Sequence, residues 1–159
     1  MNLLVLCEKQ AVKIRLMKTR FMIAGEIVTN KDYQRWMPVK AKINNNCNRA
    51  TFKIRDVFWA SIGENIGFEE DGKGQCYNRP VVILKKFNEQ LFWGIPLSTT
   101  TRRGKYYFEV SLLSKGGKQG VAVLSQLRLW DSARLENKIG MLSKKEFAEL
   151  KAEIVNLFQ

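Results

Sequence analysis

The chain has 159 residues, and 27 Lys and Arg against 15 Asp and Glu give it a formal net charge of +12. It contains no histidine, which excludes a Ser-His-Asp triad, a two-histidine ribonuclease and any zinc site that needs imidazole. The excess of basic residues favours a polyanionic partner: RNA, DNA or an acidic protein segment. No apolar run approaches the roughly 18 residues that cross a bilayer. The three cysteines form no CxxC pair, which fits reduced thiols in a cytoplasm.

Residues 1–50 are predicted to be a basic N-terminal extension with a short helix. They carry ten Lys and Arg against three Asp and Glu. The helix is expected over residues 32–43, with Trp36 and Val39 on one side and Lys40 and Lys42 on the other. The run of three asparagines that follows ends it. A flexible extension and an independent nucleic-acid-binding arm are both compatible with this composition.

Residues 51–159 are predicted to form a mainly β domain. Apolar, β-branched and aromatic runs joined by turns predict five strands and a small curled sheet or barrel. Residues 63–78 form a long glycine-rich loop after the first strand, and a loop of this length is usually functional or mobile. Pro80 suits the first position of its strand, where no ladder donor is needed. The predicted strands are residues 56–62, 80–86, 91–97, 105–112 and 121–129.

The end of the chain is predicted to be an amphipathic helix. Ser143 is a suitable N-cap, and Glu146 three residues later completes a capping box. Phe147, Leu150, Ile154 and Leu157 then recur at helical spacing, which indicates a helix packed on the sheet.

Arg79 precedes one predicted strand, while Ser98 and Thr99 end the next one. In an antiparallel pair these positions meet at one edge, where they could hold a phosphate. RNA carries its own nucleophile, the 2′-hydroxyl, so one carboxylate, one arginine and one or two hydroxyl donors suffice for its cleavage. Glu69 or Glu70 could supply the carboxylate. The alternatives are that Arg79 forms only a salt bridge and that the hydroxyls satisfy only turn backbone groups.

Six short segments, in order, resemble the PemK/MazF toxins of bacterial type II toxin–antitoxin systems over about residues 52–158. They are Asp56-Val57-Phe58-Trp59, Gly67-Phe68-Glu69-Glu70, Arg79-Pro80-Val81-Val82-Ile83-Leu84, Ile95-Pro96-Leu97-Ser98-Thr99, Leu124-Ser125-Gln126-Leu127-Arg128-Leu129-Trp130-Asp131 with Arg134-Leu135, and Lys138-Ile139-Gly140. The first fifty residues lie outside the resemblance.

The resemblance implies an α+β, mainly β fold: an SH3-like barrel of the PemK/CcdB type, with a C-terminal helix packed on the sheet. It implies a cytoplasmic homodimer that acts as a sequence-selective, metal-independent endoribonuclease without a cofactor. Single-stranded RNA would be cut to 2′,3′-cyclic phosphate and 5′-hydroxyl ends. A cognate antitoxin with an acidic tail would be the protein partner, and the positive charge suits both ligands.

Carried over residue by residue, the resemblance makes Arg79 the transition-state stabiliser or acid and Glu69 the candidate base. Ser98 stands where a threonine is usual, and Thr99 matches a neighbouring hydroxyl. The chain departs from the family at four positions: Phe68 where some members have histidine, Glu70 where glutamine is usual, Val123 where some have arginine, and Ser125 where many are acidic. A catalytically inactive RNA- or protein-binding module of the same fold, or a gyrase-poison-like toxin, is therefore the alternative.

Basic and polar residues near the hydroxyl cluster are the predicted RNA surface, because a basic loop can follow the phosphate backbone. Phe68 and Tyr77 are candidates for stacking on bases, whereas Trp59 and Trp93 are expected in the core. The predicted RNA-binding residues are Lys73, Arg102, Arg103, Lys105, Gln126 and Arg128.

Overall fold

The structure, a computed structural model, describes residues 21–23, 26–28, 31–100, 102–113 and 119–159. The chain divides into two compact units, one up to Asp32 and one spanning Tyr33–Gln159. In the first unit, β1 (Phe21–Ile23) and β2 (Glu26–Val28) form an antiparallel pair with Met22 opposite Ile27. Residues 1–20, 24–25 and 29–30 of the predicted basic extension lie outside the described residues.

The second unit opens with α1 (Tyr33–Asn44), close to the helix predicted over residues 32–43. Its buried residue is Trp36. Because the compact unit begins at Tyr33, this helix belongs with the sheet that follows it. The division predicted between residues 50 and 51 therefore lies later in the chain than the division in the structure.

Seven antiparallel strands form the sheet of the second unit: β3 (Asp56–Ser61), β4 (Asn78–Lys86), β5 (Leu91–Ser98), β6 (Tyr107–Ser111), β7 (Gln119–Val123), β8 (Arg128–Asp131) and β9 (Leu135–Met141). They run in the order β6-β7-β5-β4-β3-β9, and β8 also pairs with β5. The sheet is barrel-like without closing, because among the described residues β6 and β9 remain its two ends. Beside them, the Leu113 N–H donates to the Met141 carbonyl at 2.8 Å.

The strand predicted over residues 121–129 is wrong, because a 3-10 turn at Leu124–Gln126 divides it into β7 and β8. Both pieces pair with β5, β7 at Leu97 and Ser98 and β8 further back at residues 91–94. Through the 3-10 turn, the chain passes from pairing with the end of β5 to pairing with its beginning. β9 was not predicted. It pairs with β3 through two register irregularities, and most of its side chains are exposed or half-buried.

The two faces of the sheet carry separate apolar clusters. On one face Val82, Ile95 and Leu97 pack with Phe147 and Leu150. These last two belong to α2 (Lys144–Asn156), and full burial of each stabilises the fold by about 1.5–3 kcal/mol. Ser143 and Glu146 form the predicted capping box. The prediction of a mainly β domain with a C-terminal helix packed on the sheet is confirmed.

The opposite face holds the second cluster, in which Trp130 and the three phenylalanines Phe52, Phe58 and Phe92 are the largest members. The Phe52 and Phe92 rings lie 5.1 Å apart, and the Phe92 and Trp130 rings stack at 6.5 Å. Trp93 was expected in the core, but it is 44% exposed, near the start of β5, with its ring centre 5.2 Å from that of Phe87. Among the described helices, none is both long enough and apolar enough to span a membrane.

Candidate functional site

Arg79 and Ser98 face each other across β4 and β5. The register pairs Val81 with Pro96, and continuing the antiparallel pairing by two residues brings Arg79 opposite Ser98. Side chains at directly opposed positions lie on the same face of a sheet. Both residues are buried, at 8% and 4% exposure. The strand edge expected from the sequence therefore holds both residues, and the Arg79 Nη1 reaches the Leu97 carbonyl next to Ser98 at 3.5 Å.

Two adjoining cavities, of about 550 and 380 Å³, open at this end of the strands. Trp59, Pro80, Leu97 and Thr99 line both of them. Arg79 lines the larger cavity and Ser98 the smaller one. Together they form a continuous recess that is wide enough for part of a nucleotide chain and has mainly apolar walls.

The Arg79 guanidinium is held by residues 63–77, a segment between β3 and β4 that we call the site loop. Its Nε donates to the Asp71 carbonyl at 2.7 Å, and its Nη1 lies 2.8 Å from the Glu70 carboxylate. Nη1 also donates to the Leu97 carbonyl of β5 at 3.5 Å. These contacts fix the plane of the guanidinium by two of its three nitrogens.

The Glu70 carboxylate forms salt bridges with two guanidinium groups, one at each of its oxygens. Oε2 contacts Arg79 and Oε1 contacts Arg102, both at 2.8 Å. The side chains of Glu70 and Arg79 are 10% and 9% exposed, whereas that of Arg102 is 40% exposed. The pair that joins the site loop to β4 is therefore buried, and Arg102 covers it from the solvent side.

Burial lowers the pKa of the Arg79 guanidinium, and the Glu70 carboxylate offsets only part of this effect. For Arg102, burial also lowers the pKa, but Glu70 and the Tyr107 hydroxyl outweigh it, so the pKa lies above its ordinary value. Both side chains stay protonated near neutral pH. The charges of Glu70 and Asp71 thus offset part of the positive charge of the two arginines.

The two hydroxyls at the end of β5 have different surroundings. Ser98 is buried, and its Oγ accepts a hydrogen bond from the Thr100 N–H at 3.2 Å. Thr99 is exposed and lines both cavities. A ligand in either cavity can therefore touch Thr99, while Ser98, which lines the smaller cavity, also fixes the turn through its bond to Thr100.

Of the two neighbouring glutamates, the structure brings Glu70 onto Arg79. Glu69, the predicted base, is exposed and accepts a hydrogen bond from the Ile66 N–H at 3.2 Å within its own turn. Its charge acts on Arg128, whose pKa is lowered by burial and by Arg134 and raised in part by Glu69. Glu69 therefore lies towards the start of β8.

The site loop is also tied to the turn after β7. The Glu70 N–H donates to the Gln126 Oε1 at 3.3 Å. Arg128, two residues later, lies with its guanidinium 4.0 Å from the centre of the Trp130 ring. Gln126 and Arg128, both predicted RNA-binding residues, are thus placed on the same side as the loop that holds Arg79.

The remaining predicted RNA-binding residues are exposed. Lys73 lies at the rim of the larger cavity, and its backbone forms an isolated β-bridge with that of Asn78. Arg103 and Lys105 follow Arg102 in the segment before β6, and Lys105 lies 4.9 Å from the Tyr106 ring centre. No contact joins Arg103 or Lys105 to the recess among the described residues, so they extend the basic surface rather than line the cavity.

The two aromatic candidates for base stacking differ. Phe68 is 71% exposed on the site loop. Tyr77 is 4% exposed beneath Trp36, so the suggestion that it stacks on bases is wrong. Tyr77, whose φ is 52°, packs instead against the Trp36 ring at 5.2 Å.

A hydrogen-bonded group at the other rim of the larger cavity was not predicted. Glu136 accepts from the Ser61 hydroxyl at 2.7 Å and from the Asn78 Nδ2 at 2.6 Å. Glu136 and Asn78 both line the cavity. Glu136 lies in β9, the strand that sequence patterns did not indicate, so no signal in the sequence could have placed it near Arg79.

Comparison with known proteins gives one family match and a group of similar folds. A sequence family described as "PemK-like, MazF-like toxin of type II toxin-antitoxin system" matches residues 53–158. Curated proteins give no sequence match. MazF from Deinococcus radiodurans is 19% identical with a TM-score of 0.57, and the match covers 69% of this chain and 97% of that one.

Two structures of protein complexes are similar as well. A MazE–MazF complex from Deinococcus radiodurans is 17% identical with a TM-score of 0.52, covering 69% of this chain and 96% of that one. An endoribonuclease with its cognate antitoxin from a mycobacterial species is 10% identical with a TM-score of 0.50, covering 68% and 95%. These likenesses support the fold and give no support to a DNA ligand. By the sequence match over residues 53–158, the chain belongs to the PemK-like, MazF-like toxin family of type II toxin–antitoxin systems.

Proposed function

We propose that the protein is a sequence-selective, metal-independent endoribonuclease that cuts single-stranded RNA. The observation that carries this proposal is that Arg79 and Thr99 line the same open recess at one end of β4 and β5, where the Arg79 Nη1 donates to the Leu97 carbonyl next to Ser98 at 3.5 Å. A fixed cation next to hydroxyl donors, in a recess with apolar walls, is suited to a phosphate that gains charge during a reaction.

The proposed reaction is an internal transesterification. The 2′-hydroxyl oxygen of one nucleotide attacks the adjacent phosphorus as a base removes its proton. The bond from phosphorus to the 5′-oxygen breaks, and that oxygen takes up a proton. The products are a 2′,3′-cyclic phosphate and a 5′-hydroxyl, so the step consumes no water and needs no external oxidant or reductant.

In this scheme Arg79 stabilises the negative charge on the phosphoryl oxygens. Its guanidinium is already oriented by Glu70 and by two backbone carbonyls, so little reorganisation is needed when the charge develops. Thr99 donates from the recess wall, and Ser98 supports the turn that presents it. Glu69 is the proposed base, and the mobility of an exposed side chain allows it to turn from the Ile66 N–H towards the ribose.

The RNA strand would follow the exposed basic residues around the recess. Lys73 marks one rim, and Arg102, Arg103 and Lys105 form the segment that follows the hydroxyl cluster. Gln126 and Arg128 lie on the far side of the site loop. The formal charge of +12 strengthens binding to any single strand, and it makes this binding sensitive to salt.

The proposed partners follow from the family. We expect a homodimer and a cognate antitoxin whose acidic tail competes with RNA for the basic surface. A related MazF is recorded in complex with MazE, which supports an antitoxin partner for this chain. A cytoplasmic location is expected for both proteins.

Cleavage of a single-stranded RNA in EDTA, followed by analysis of the product ends, tests the proposal. We expect cyclic phosphate ends, and we expect Arg79→Ala to slow cleavage by about 10²- to 10³-fold. Lys145→Ala is the matched control, because it removes one positive charge from an 86% exposed side chain on α2. Unchanged cleavage by Arg79→Ala would remove this residue from the mechanism.

The second candidate function is a catalytically inactive RNA- or protein-binding module of the same fold. The position of Glu69 favours it, because the predicted base is held within its own turn and not beside Arg79. This reading expects salt-dependent RNA binding by the pure protein without cleavage at any enzyme concentration.

A further inference from the structure

Helix α1 lies outside the family match, which begins at residue 53, and yet it packs on the site loop. Trp36 is 5% exposed, and its ring centre lies 5.2 Å from that of Tyr77 at an interplanar angle of 59°. Tyr77 closes the foot of the loop, since its carbonyl accepts from the N–H groups of Ile62 and Gly63 at 3.0 and 3.3 Å. The helix therefore presses on the point where the loop leaves and rejoins the sheet.

The contact between Trp36 and the loop requires a glycine. At Gly63, φ is +91°, and a Cβ there would lie 2.3 Å from the Trp36 Cε2. No side chain other than hydrogen fits between the indole and the backbone at this distance. The backbone of the loop is thus shaped to receive this one residue of α1.

A second contact continues from α1 to the arginine. The Tyr33 hydroxyl donates to the Asn65 carbonyl at 3.1 Å. The Asn65 N–H donates to the Asp71 carboxylate at 2.7 Å, and its Nδ2 donates to the Glu70 carbonyl at 2.8 Å. Glu70 and Asp71 are the two loop residues that hold the Arg79 guanidinium. A continuous line of hydrogen bonds therefore runs from α1 to Arg79.

The helix is poorly equipped to persist without this contact. Pro38 lies inside it, and an internal proline costs a helix about 3 kcal/mol. Trp36 is its buried residue, whereas the neighbouring Met37 is 57% exposed. Twelve residues are also marginal for an isolated helix in water. Docking of Trp36 therefore contributes to holding α1 in place, together with the Tyr33 hydrogen bond.

We propose that α1 is a positioning element of the site: Trp36 and Tyr33 hold the site loop so that Glu70 and Asp71 orient Arg79. This inference rests on the proposed RNA cleavage for its functional part. Since a displacement of about 1 Å can cost two orders of magnitude in rate, loss of the brace acts on the chemical step. RNA binding depends mainly on the exposed basic residues, so affinity changes much less.

The experiment uses the full chain and has two arms. The first measures amide hydrogen exchange in the RNA-free protein for Trp36→Ala, Trp36→Phe, Tyr33→Phe and the control Met37→Ala. We expect Trp36→Ala to speed exchange in residues 64–76 by about tenfold or more, while amides of β4 and β5 keep their protection. Trp36→Phe retains most of the ring contact and should restore slow exchange, and Met37→Ala should resemble the unaltered chain.

The second arm measures cleavage of a single-stranded RNA. We expect kcat to fall about tenfold to a hundredfold for Trp36→Ala and by a smaller factor for Tyr33→Phe, with KM changed less than about twofold. Tyr33 is 44% exposed, so Tyr33→Phe removes one hydrogen bond without threatening the fold.

Unchanged exchange in the site loop of Trp36→Ala would overturn the inference, as would faster exchange spread equally over loop and core. Faster loop exchange with an unchanged kcat would also overturn it. If the unaltered chain never cuts RNA, the proposed function is refuted instead. The hydrogen-exchange measurement would then still decide whether α1 holds the site loop.

Discussion

The ion pair between Arg79 and Glu70 allows the structural and the chemical roles of Arg79 to be separated. Both side chains are about nine-tenths buried, and their charged atoms lie 2.8 Å apart. Removing one partner of a buried pair costs about 3–5 kcal/mol. We expect Arg79→Ala to lie near the lower end, at about 3 kcal/mol, because the Glu70 left behind still contacts Arg102. Glu70→Gln should cost about 2 kcal/mol, because its amide oxygen can still accept a hydrogen bond.

The double variant Arg79→Ala/Glu70→Gln removes both charges. Its loss of unfolding free energy should be smaller than the sum of the single losses by about 1–3 kcal/mol, as measured by urea denaturation. Cleavage should not recover with stability. The double variant should stay about 10²- to 10³-fold slower than the unaltered chain, because no guanidinium faces the phosphate.

The same cycle at Lys86 and Glu89 is the matched control. This pair is equally short, at 2.7 Å, but its side chains are 26% and 69% exposed, so its coupling should stay below about 1 kcal/mol. Recovery of cleavage in the Arg79/Glu70 double variant would show that Arg79 acts only as a structural ion-pair partner. Additive stability losses would refute the argument that the pair is buried and coupled.

Two further predictions concern stability. Burial raises the pKa of Glu146, but hydrogen bonds from Ser143 and Ser111 outweigh it, so the folded pKa lies below its ordinary value of 4.5. A depressed pKa stabilises the fold at pH values above the unfolded pKa, and this contribution is lost as the pH falls through the folded pKa. The difference in unfolding free energy between the unaltered chain and Glu146→Gln should therefore shrink between about pH 5 and pH 3, as measured by urea denaturation. A difference that stays constant over this range would contradict this account. At Gly72, a Cβ would lie 1.7 Å from the Tyr77 carbonyl oxygen, so Gly72→Ala should lower the unfolding free energy by about 2 kcal/mol or more. A loss within about 0.5 kcal/mol, the range of a neutral surface change, would mean that the loop yields without strain.

Much of the fold follows from local patterns. β4, β5 and α2 were predicted within two residues of their ends, because their apolar runs, the turn between the strands and the capping box are all local signals. β9 gave no such signal, since Leu135–Met141 is largely polar and half-exposed and is a strand only because β3 pairs with it. The break in the strand predicted over residues 121–129 likewise depends on where β5 offers pairing partners.

The site could be predicted in part for the same reason. Arg79 and Ser98 end up opposite each other because a strand pair fixes their register, which a sequence can indicate. Which of the adjacent glutamates turns towards Arg79 depends on loop backbone with a φ of +56° at Gly67, and no periodicity reports that. The role of Trp36 was also hidden, because one buried side chain in a short helix looks the same in a sequence as a solvated one.

Gly63 affects how truncated forms of the protein behave and which residues relatives can carry at this position. A polypeptide trimmed to residues 53–158 would keep Gly63 but would lack Trp36. A gap would then remain beside Gly63, where the Trp36 indole lies in the longer chain. Such a gap would admit water or an added small aromatic compound, and chemical rescue of the trimmed polypeptide by indole would be its signature. In related chains that lack the N-terminal helix, the indole no longer excludes a side chain at this position, and only the φ of +91° still favours glycine.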